Sequence, residues 1–257
     1  MLPYAEPRIV TDPGRCIFYH TMDLPGFGHI RGNWDLRESF GRYTGGVDFS
    51  GRSTLDVGTA SGFLSFEAER RGADVVSFDS ESLETHHGVP YLDVRRQHGV
   101  PPAENLDFEG LRNAYWLAHR ALGSKVRCFY GDVYQLPDEL GEFDIVLACS
   151  IFIHLRDPVA ALTSITARCR NTLVITDGMT VSDLPVAVFL GYHDNPAHHP
   201  NNTWWQYTTM LYSQILRILG FEIMRFEENS YPWRNPAGLS HVYKLGTLVA
   251  QRVEPVR

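Results

Sequence analysis

The fold is decided by one stretch of the chain, Leu55-Asp56-Val57-Gly58-Thr59-Ala60-Ser61-Gly62-Phe63. A short apolar run ends in a turn that contains two glycines, and a helical pattern begins directly after the turn. Gly58 permits a tight turn, and Gly62 allows a helix and a ligand to approach the backbone closely. A strand, such a turn and a helix in this order are typical of nucleotide-binding α/β folds.

Outward from this stretch, short apolar runs alternate with longer helical patterns, which predicts a parallel sheet covered by helices. We predict strands at 53–57, 74–78, 126–130, 143–149, 172–176, 221–226 and 241–251, and helices at 63–71, 108–122, 158–169 and 208–219. The continuous apolar run at 143–149 is expected of a central strand buried on both faces. The predicted fold is α/β: a Rossmann-like, seven-stranded, mostly parallel sheet with helices on both faces.

Two segments interrupt this alternation, at about 80–107 and 178–207, and both contain several prolines and histidines. Long irregular segments inside a compact domain are usually binding loops or lids. Residues 1–45 precede the sheet and are predicted to form a cap over its carboxyl edge. The main domain is therefore expected to span 46–257, with the two lid insertions inside it.

Composition narrows the choice of partners and compartment. The formal net charge is −7, whereas a protein that neutralises many phosphates usually carries a basic excess. None of the four cysteines lies in a C-x-x-C pair, so neither a zinc ribbon nor a redox motif is predicted. There is no signal-peptide pattern and no run of about 20 apolar residues. We therefore expect a cytoplasmic protein without a membrane contact.

The second predicted strand leads to Asp79, where an acidic side chain can accept both hydroxyls of a ribose. In a dinucleotide site the second glycine of G-x-G-x-x-G lets the backbone meet the pyrophosphate, and here Ala60 occupies that position. S-Adenosylmethionine (SAM) has no pyrophosphate, and Asp56 suits a ligand with a cationic amino group. The turn therefore favours SAM over a nicotinamide dinucleotide.

Two further strand ends agree with a SAM site. Asp132 is placed to meet the adenine amino group beside the backbone N–H of Val133, although it is also suited to cap a helix or form a turn. Cys149 and Ser150 end the fourth strand in the switch region, where ligands of open α/β sheets bind. The predicted cofactor residues are Asp56, Gly58, Thr59, Ala60, Gly62, Asp79, Ser80, Asp132, Val133, Cys149 and Ser150.

Four features together resemble a class I SAM-dependent methyltransferase: the turn at 56–62, Asp79, Asp132 and the strand at 143–150. Three other stretches are similar to the tRNA wobble-uridine (carboxy)methyltransferase-like family. They are FYHTMDLPG at 18–26, IHLRDP at 153–158 and NTWW at 202–205. This resemblance extends from about residue 16 to residue 228.

The chain also departs from that family. The characterised tRNA enzymes carry an additional N-terminal region that this sequence lacks. They also have a tyrosine before the histidine of the HLRDP-like stretch, implicated in holding the carboxylate of a carboxylated SAM. Here that position is Ile153, which cannot bind a carboxylate. The resemblance therefore implies ordinary SAM as the cofactor and, with the acidic composition, a relative that methylates a small molecule or a glycan.

Methylation of a hydroxyl requires a base that removes its proton. His154 is the first candidate, because it follows the fourth strand at the edge where the donor methyl should point. Its alternative role is to structure the turn before the Asp157-Pro158 pair. His199 is the second catalytic candidate and lies in the segment 192–199, whose spacing fits no defined metal pattern. We therefore predict no metal site.

The predicted acceptor site is largely aromatic. The N-terminal members are expected to close over the cofactor, and the two tryptophans are suited either to form a wall against a ring or to pack onto the helix at 208–219. Asp177, after the fifth strand, is a weaker candidate for the base. The predicted acceptor-binding residues are Tyr19, His20, Trp34, His193, Trp204 and Trp205.

These patterns predict a SAM-dependent methyltransferase that acts on an oxygen of a small-molecule or saccharide acceptor. The expected mechanism is in-line transfer with help from a general base. A tRNA wobble-uridine methyltransferase stays open as an alternative, and so does a non-catalytic SAM-binding protein. The oligomeric state is open too, with a homodimer as one expectation.

Overall fold

The computed structural model of the protein describes residues 4–82, 85, 107–190, 203–235 and 238–254. Its strands are β1 (Met22–Leu24), β2 (Gly28–Ile30), β3 (Ser53–Val57), β4 (Asp74–Ser80), β5 (Arg127–Gly131), β6 (Phe143–Cys149), β7 (Cys169–Asp177), β8 (Met179–Thr180), β9 (Ala187–Phe189), β10 (Trp205–Thr208), β11 (Phe221–Arg234) and β12 (Ser240–Arg252). Its α-helices are α1 (Phe40–Tyr43), α2 (Phe63–Arg70), α3 (Phe108–Leu122), α4 (Pro158–Thr166) and α5 (Thr209–Ile218). Among these helices, none is long and apolar enough to cross a membrane.

The central sheet has seven strands in the order β11-β12-β7-β6-β3-β4-β5. The five strands from β7 to β5 are parallel, and β12 runs antiparallel to both of its neighbours. The chain builds outward from β3 to β5 and then returns to place β6 on the other side of β3. This reversal creates a switch point between β3 and β6, and ligands of open α/β sheets bind at the carboxyl ends of such strands. The predicted seven-stranded, mostly parallel sheet is confirmed.

Two hydrophobic cores lie on opposite faces of this sheet. Successive side chains of β6 alternate between them: Ile145 and Leu147 pack with α2 and α3, whereas Val146 and Ala148 pack with α4 and α5. A strand with both faces buried in this way reads as a continuous apolar run, which is why 143–149 shows no polar alternation. Helices on both faces are therefore confirmed.

The helices begin and end at residues suited to those positions. Asp107 caps α3 by accepting a hydrogen bond from the backbone N–H of Gly110 at 2.9 Å, and α3 ends at Gly123 with a φ of 61°. Asp157 caps α4 in the same way, and Pro158 is its first residue. The RDP part of the HLRDP stretch is thus a helix start.

Two predicted elements have different bounds in the structure. The strand predicted at 221–226 is the 14-residue β11, which pairs with β12 along its whole length. Most of β11 is exposed, so its apolar pattern breaks after Phe226 although the strand continues. The helix predicted at 158–169 ends at Thr166, because Cys169 is the fully buried first residue of β7.

The segment 178–207 was predicted to be irregular, and its described part is not. It contains β8, β9 and β10, which form a small sheet in the order β8-β10-β9. The prolines and histidines of the segment obscured these strands, each only two to four residues long. Of the other predicted insertion, only Ser80–Ser82, Thr85 and Asp107 belong to the described residues.

The N-terminal segment contributes to the core that contains α2 and α3. Phe18, Leu36 and Phe40 are buried there beside Phe63 and Trp116. Later parts of the same segment reach the carboxyl edge of the sheet, where the side-chain hydroxyl of Thr176 donates to the carbonyl of Tyr43 at 2.6 Å. The boundary at residues 45/46 stays a prediction.

Candidate cofactor and acceptor site

The turn after β3 can form only with glycine at two positions. Gly58 and Gly62 have φ values of 80° and 89°, in a region that favours glycine. A Cβ at Gly58 would lie 2.4 Å from a methyl carbon of Ile151, and one at Gly62 would lie 2.4 Å from the ring of Phe66. The backbone N–H of Gly58 donates to the carbonyl of Phe78 at 2.8 Å, which fixes the turn against β4.

Asp79 lies directly against this turn. One carboxylate oxygen accepts from the backbone N–H of Ala60 and the other from that of Ser80, both at 2.7 Å. Burial raises the pKa of Asp79, although both hydrogen bonds favour the ionised form. A carboxylate has about four lone-pair sites, so it can still accept from two ribose hydroxyls. The structure therefore brings Ala60, Asp79 and Ser80 together, and their contacts with a cofactor stay predictions.

Asp56 is the buried end of a hydroxyl network beneath the turn. Its Oδ2 accepts from the Ser65 hydroxyl at 2.7 Å, and Ser65 lies 2.6 Å from the hydroxyl of Ser77. Thr59 joins the network 3.0 Å from Ser65. Burial raises the pKa of Asp56 to about 6, and its Oδ1 has no hydrogen-bond partner among the described residues. Thr59 thus stabilises the turn through its contact with Ser65, and the Oδ1 atom of Asp56 is still able to accept a hydrogen bond.

Ser150 connects the carboxyl end of β6 to the N-terminal segment. Its φ of 55° is uncommon for a residue with a side chain, and its hydroxyl lies 3.0 Å from that of Tyr43. Its backbone N–H donates to the carbonyl of Thr176 at 2.6 Å. Burial holds the pKa of the neighbouring Cys149 thiol well above its ordinary value, so this side chain is uncharged at neutral pH. Tyr43 gave no signal in the sequence, because α1 is a single short turn.

Asp132 caps a short turn, which is the structural role that the sequence analysis gave as the alternative to a cofactor contact. One of its oxygens accepts from the backbone N–H of Tyr134 at 2.8 Å, which caps the 3₁₀ turn Val133–Gln135. Val133 is buried in the core beside α4 and α5. Contacts of these two residues with an adenine stay predictions.

Of the three predicted acceptor residues in the N-terminal segment, His20 lies next to the glycine turn. The backbone N–H of His20 donates to the Ser61 hydroxyl at 3.2 Å, and the ring of His20 is 5.5 Å from that of Phe63. Burial raises the pKa of Tyr19 to about 12, opposed by a hydrogen bond from the indole of Trp34. Trp34 also forms backbone bridges to His20 and to β11. The structure therefore places His20 against the glycine turn, whereas the ring of Trp34 packs against that of Tyr243.

The second group of predicted residues surrounds the loop after β6. His154 ends the 3₁₀ turn Phe152–His154 and is half-buried. Trp204 donates its backbone N–H to the carbonyl of Ile153 at 2.8 Å, and the Trp205 indole donates to the carbonyl of Leu155 at 2.9 Å. Both tryptophans thus hold the loop that carries His154. The other two predicted site residues, His193 and His199, lie outside the described residues.

Asp177 is the weaker candidate base from the sequence, and its role stays a prediction. It ends β7 with no exposed surface, its Oδ1 accepts from the backbone N–H of Gly178 at 2.9 Å, and its Oδ2 is unpartnered within the described chain. Burial raises the pKa of Asp177 to about 7, opposed by backbone N–H groups that include that of Ile153. The available signal was an acidic residue directly after an apolar strand.

Two tyrosine hydroxyls share the surroundings of Asp177. Those of Tyr207 and Tyr212 also lack a hydrogen-bond partner in the described regions. Burial raises the pKa of both phenols, and the nearby charge of Asp177 raises it further. The carboxyl ends of β6 and β7 and the strand β10 therefore enclose a buried group of polar atoms.

Comparisons with known proteins identify the fold. No family model matches the chain, and no curated protein does. The N-terminal domain of EvdMO1, solved in the presence of S-adenosylhomocysteine (SAH) and D-fucose, superposes with a TM-score of 0.55 at 17% identity, covering 92% of this chain and 91% of that one. Magnesium protoporphyrin IX methyltransferase from Synechocystis PCC 6803, with bound SAM, gives 0.53 at 16% identity, covering 84% and 77%.

A third structure is the 1,6-didemethyltoxoflavin-N1-methyltransferase of Burkholderia thailandensis. It gives a TM-score of 0.50 at 19% identity, covering 85% of this chain and 78% of that one. At these identities the likeness concerns the fold, which is that of the class I SAM-dependent methyltransferases. The narrower resemblance to the tRNA wobble-uridine family is not confirmed.

Proposed function

We propose that this protein is a SAM-dependent methyltransferase that methylates an oxygen of a small-molecule or saccharide acceptor. One observation carries the proposal: the Asp79 carboxylate is held against the Ala60 N–H at the rim of the glycine turn, beside the switch point of the sheet. Gly58 and Gly62 keep side chains out of the turn. Asp79 is then placed for a ribose and Asp56 for an α-amino group.

The choice of acceptor rests on charge and on the aromatic surroundings. The net charge of −7 disfavours a polyanionic acceptor. The half-buried rings of Tyr19 and Trp34 are of the kind that sugar and aromatic rings stack on. The solved structures of similar fold include one determined in the presence of D-fucose and one of a magnesium protoporphyrin IX methyltransferase, which supports a small-molecule or saccharide acceptor.

When bound, SAM supplies a methyl group made electrophilic by the attached sulfonium. The protein has to place the acceptor oxygen in line with the methyl–sulfur bond, exclude water and accept the hydroxyl proton. His154 and Asp177 are the two candidates for the proton acceptor. Asp177 combines a pKa of about 7 with an unpartnered oxygen, which suits a base that works near neutral pH.

Calorimetric titration with SAM and SAH tests cofactor binding, with Asp79→Ala as the variant that should lose it. Methyl-labelled SAM should then transfer label to D-fucose or a fucose-containing saccharide and leave purified tRNA unlabelled. Label on tRNA alone would favour the wobble-uridine alternative. Binding without transfer to any acceptor in a broad saccharide and phenol panel would favour a non-catalytic SAM-binding protein.

The two candidate bases are separated by the pH dependence of transfer. Asp177→Asn should abolish the rise in rate between pH 6 and pH 8 if Asp177 accepts the proton, while His154→Gln should leave that rise in place. The opposite pattern would assign the role to His154. Because SAH binding is measured on the same variants, loss of the cofactor is distinguishable from loss of the base.

A further inference from the structure

The N-terminus of α2 is suited to bind an anion. It begins at Gly62, which offers no side chain to cap the helix, and its first turn contains no acidic residue. The first N–H groups of a helix have no partner within the helix, and they carry a partial positive charge. Such a terminus binds carboxylates and phosphates readily. Under the proposed function, the anion available to this terminus is the carboxylate in the amino-acid part of the cofactor.

A second, independent feature lies at the same place. His20 is 5% exposed, its backbone donates to the Ser61 hydroxyl at 3.2 Å, and its ring lies 5.5 Å from that of Phe63, the first residue of α2. The Nδ1 atom of this buried ring has no hydrogen-bond partner among the described side chains and backbone. A buried nitrogen without a partner is costly, so a ligand atom at this position would relieve the cost.

The surroundings of His20 set its chemistry. Burial lowers the pKa of His20 to about 3, so the ring is a neutral donor rather than a cation. Its aromatic neighbours are Tyr19 and Phe63, neither of which competes for a carboxylate. On the other side of the glycine turn, Asp56 retains an unused oxygen. The amino-acid part of SAM would therefore meet hydrogen-bond donors at its carboxylate and an acceptor at its ammonium group.

We propose that His20 binds the cofactor rather than the acceptor: its Nδ1–H donates to the α-carboxylate of SAM, which rests on the N-terminus of α2. This inference rests on the proposed function and deepens it. It changes the expected role of His20 from the acceptor-binding one that the sequence indicated. It also gives a reason for the contact between His20 and Ser61 of the glycine turn.

The test uses three ligands that differ in the amino-acid part. They are SAH, its analogue without the carboxylate, and 5′-methylthioadenosine, which lacks both the carboxylate and the amino group. Dissociation constants are measured by calorimetry for the wild type, His20→Phe, His20→Asn and the control His29→Phe on exposed β2. Phenylalanine preserves the packing on Phe63 without a donor, whereas asparagine restores a donor.

We expect His20→Phe to weaken SAH binding about 10-fold or more, as for a hydrogen bond to a charged group. The same variant should leave the other two ligands within about twofold, because neither carries the carboxylate. His20→Asn should recover part of the loss, and the control should match the wild type. Circular dichroism and thermal unfolding establish that each variant is folded.

Equal weakening of all three ligands by His20→Phe would assign His20 to packing and overturn the inference, as would unchanged binding of SAH. In both cases the wild type still binds SAH, so the proposed methyltransferase function survives. A folded wild type that binds none of the three ligands would instead refute the function and this inference together.

Discussion

Replacing Asp177 with asparagine should change how the stability of the protein responds to pH. Burial raises the pKa of Asp177 from 3.8 to about 7 in the folded state. The folded state therefore holds the proton more tightly than the unfolded state does. The contribution of this carboxyl group to stability is full below pH 4 and is lost as the pH rises through 7. Asparagine does not titrate, so the variant should lack this dependence.

The magnitude follows from the shift in pKa. Each unit corresponds to about 1.4 kcal/mol, and the wild type should lose about 2.5 kcal/mol of unfolding free energy between pH 5 and pH 8 through this group. The difference at any single pH also contains the altered hydrogen bond to Gly178. The effect of that hydrogen bond is the same at every pH. The quantity to measure is therefore how the difference in unfolding free energy between wild type and variant changes with pH.

Urea unfolding followed by circular dichroism at four pH values between 5 and 8 measures this change. Asp144→Asn is the matched control, because hydrogen bonds from the backbone and the hydroxyl of Ser53 lower the pKa of Asp144. Asp144 is already ionised across this range, so its loss should destabilise the protein equally at every pH. Parallel pH curves for the wild type and Asp177→Asn would refute the assignment of a raised pKa to this buried carboxyl group.

Other predictions concern the cofactor site. Asp79→Asn should weaken SAH binding by roughly 10- to 100-fold in calorimetry, since a charged acceptor becomes neutral and one of its two oxygens is replaced by a donor; an unchanged constant would remove Asp79 from the site. The affinity for SAH should rise with pH up to about 6, because Asp56 must ionise to bind the ammonium group, and Asp56→Asn should flatten this profile; equal slopes for both proteins would contradict the contact. Gly62→Ala should lower the unfolding free energy by at least about 1 kcal/mol in urea denaturation, since its φ is positive and Phe66 blocks the Cβ; a stable, fully binding variant would show that the turn tolerates a side chain.

Most of the sheet could be predicted because its signals are local. The strand at 143–149 is apolar throughout since both of its faces are buried. The Asp56–Gly62 turn carries its own glycine requirement, and the sequence therefore located the turn and the acidic residue Asp79, whereas the hydrogen bond between Ala60 and Asp79 came from the structure. Signals of this kind depend on one residue and its immediate neighbours, and one sequence displays them in full.

The parts that were missed depend on contacts between distant segments. Tyr43 reaches Ser150 across 107 residues of sequence, and no periodicity records such a contact. Strand β10 pairs with β8 and β9, and its four residues are too few to show the alternation that indicates a strand, although three of them favour strands. Asp132 was a residue with two plausible roles, and the structure shows the capping one, which depends only on Tyr134 two residues later.

The two buried carboxyl groups that remain in the site support one interpretation. Asp56 and Asp177 both have raised pKa values because of burial, and each has one oxygen without a partner in the described part of the chain. Burying an acid in this way destabilises a protein above its pKa, and a structural role alone would be filled better by asparagine. They end or nearly end β3 and β7, the strands that flank β6 in the sheet. Acidic groups placed at the carboxyl edge on both sides of a central strand suit a reaction in which one end of a cationic cofactor is held and a proton is removed nearby.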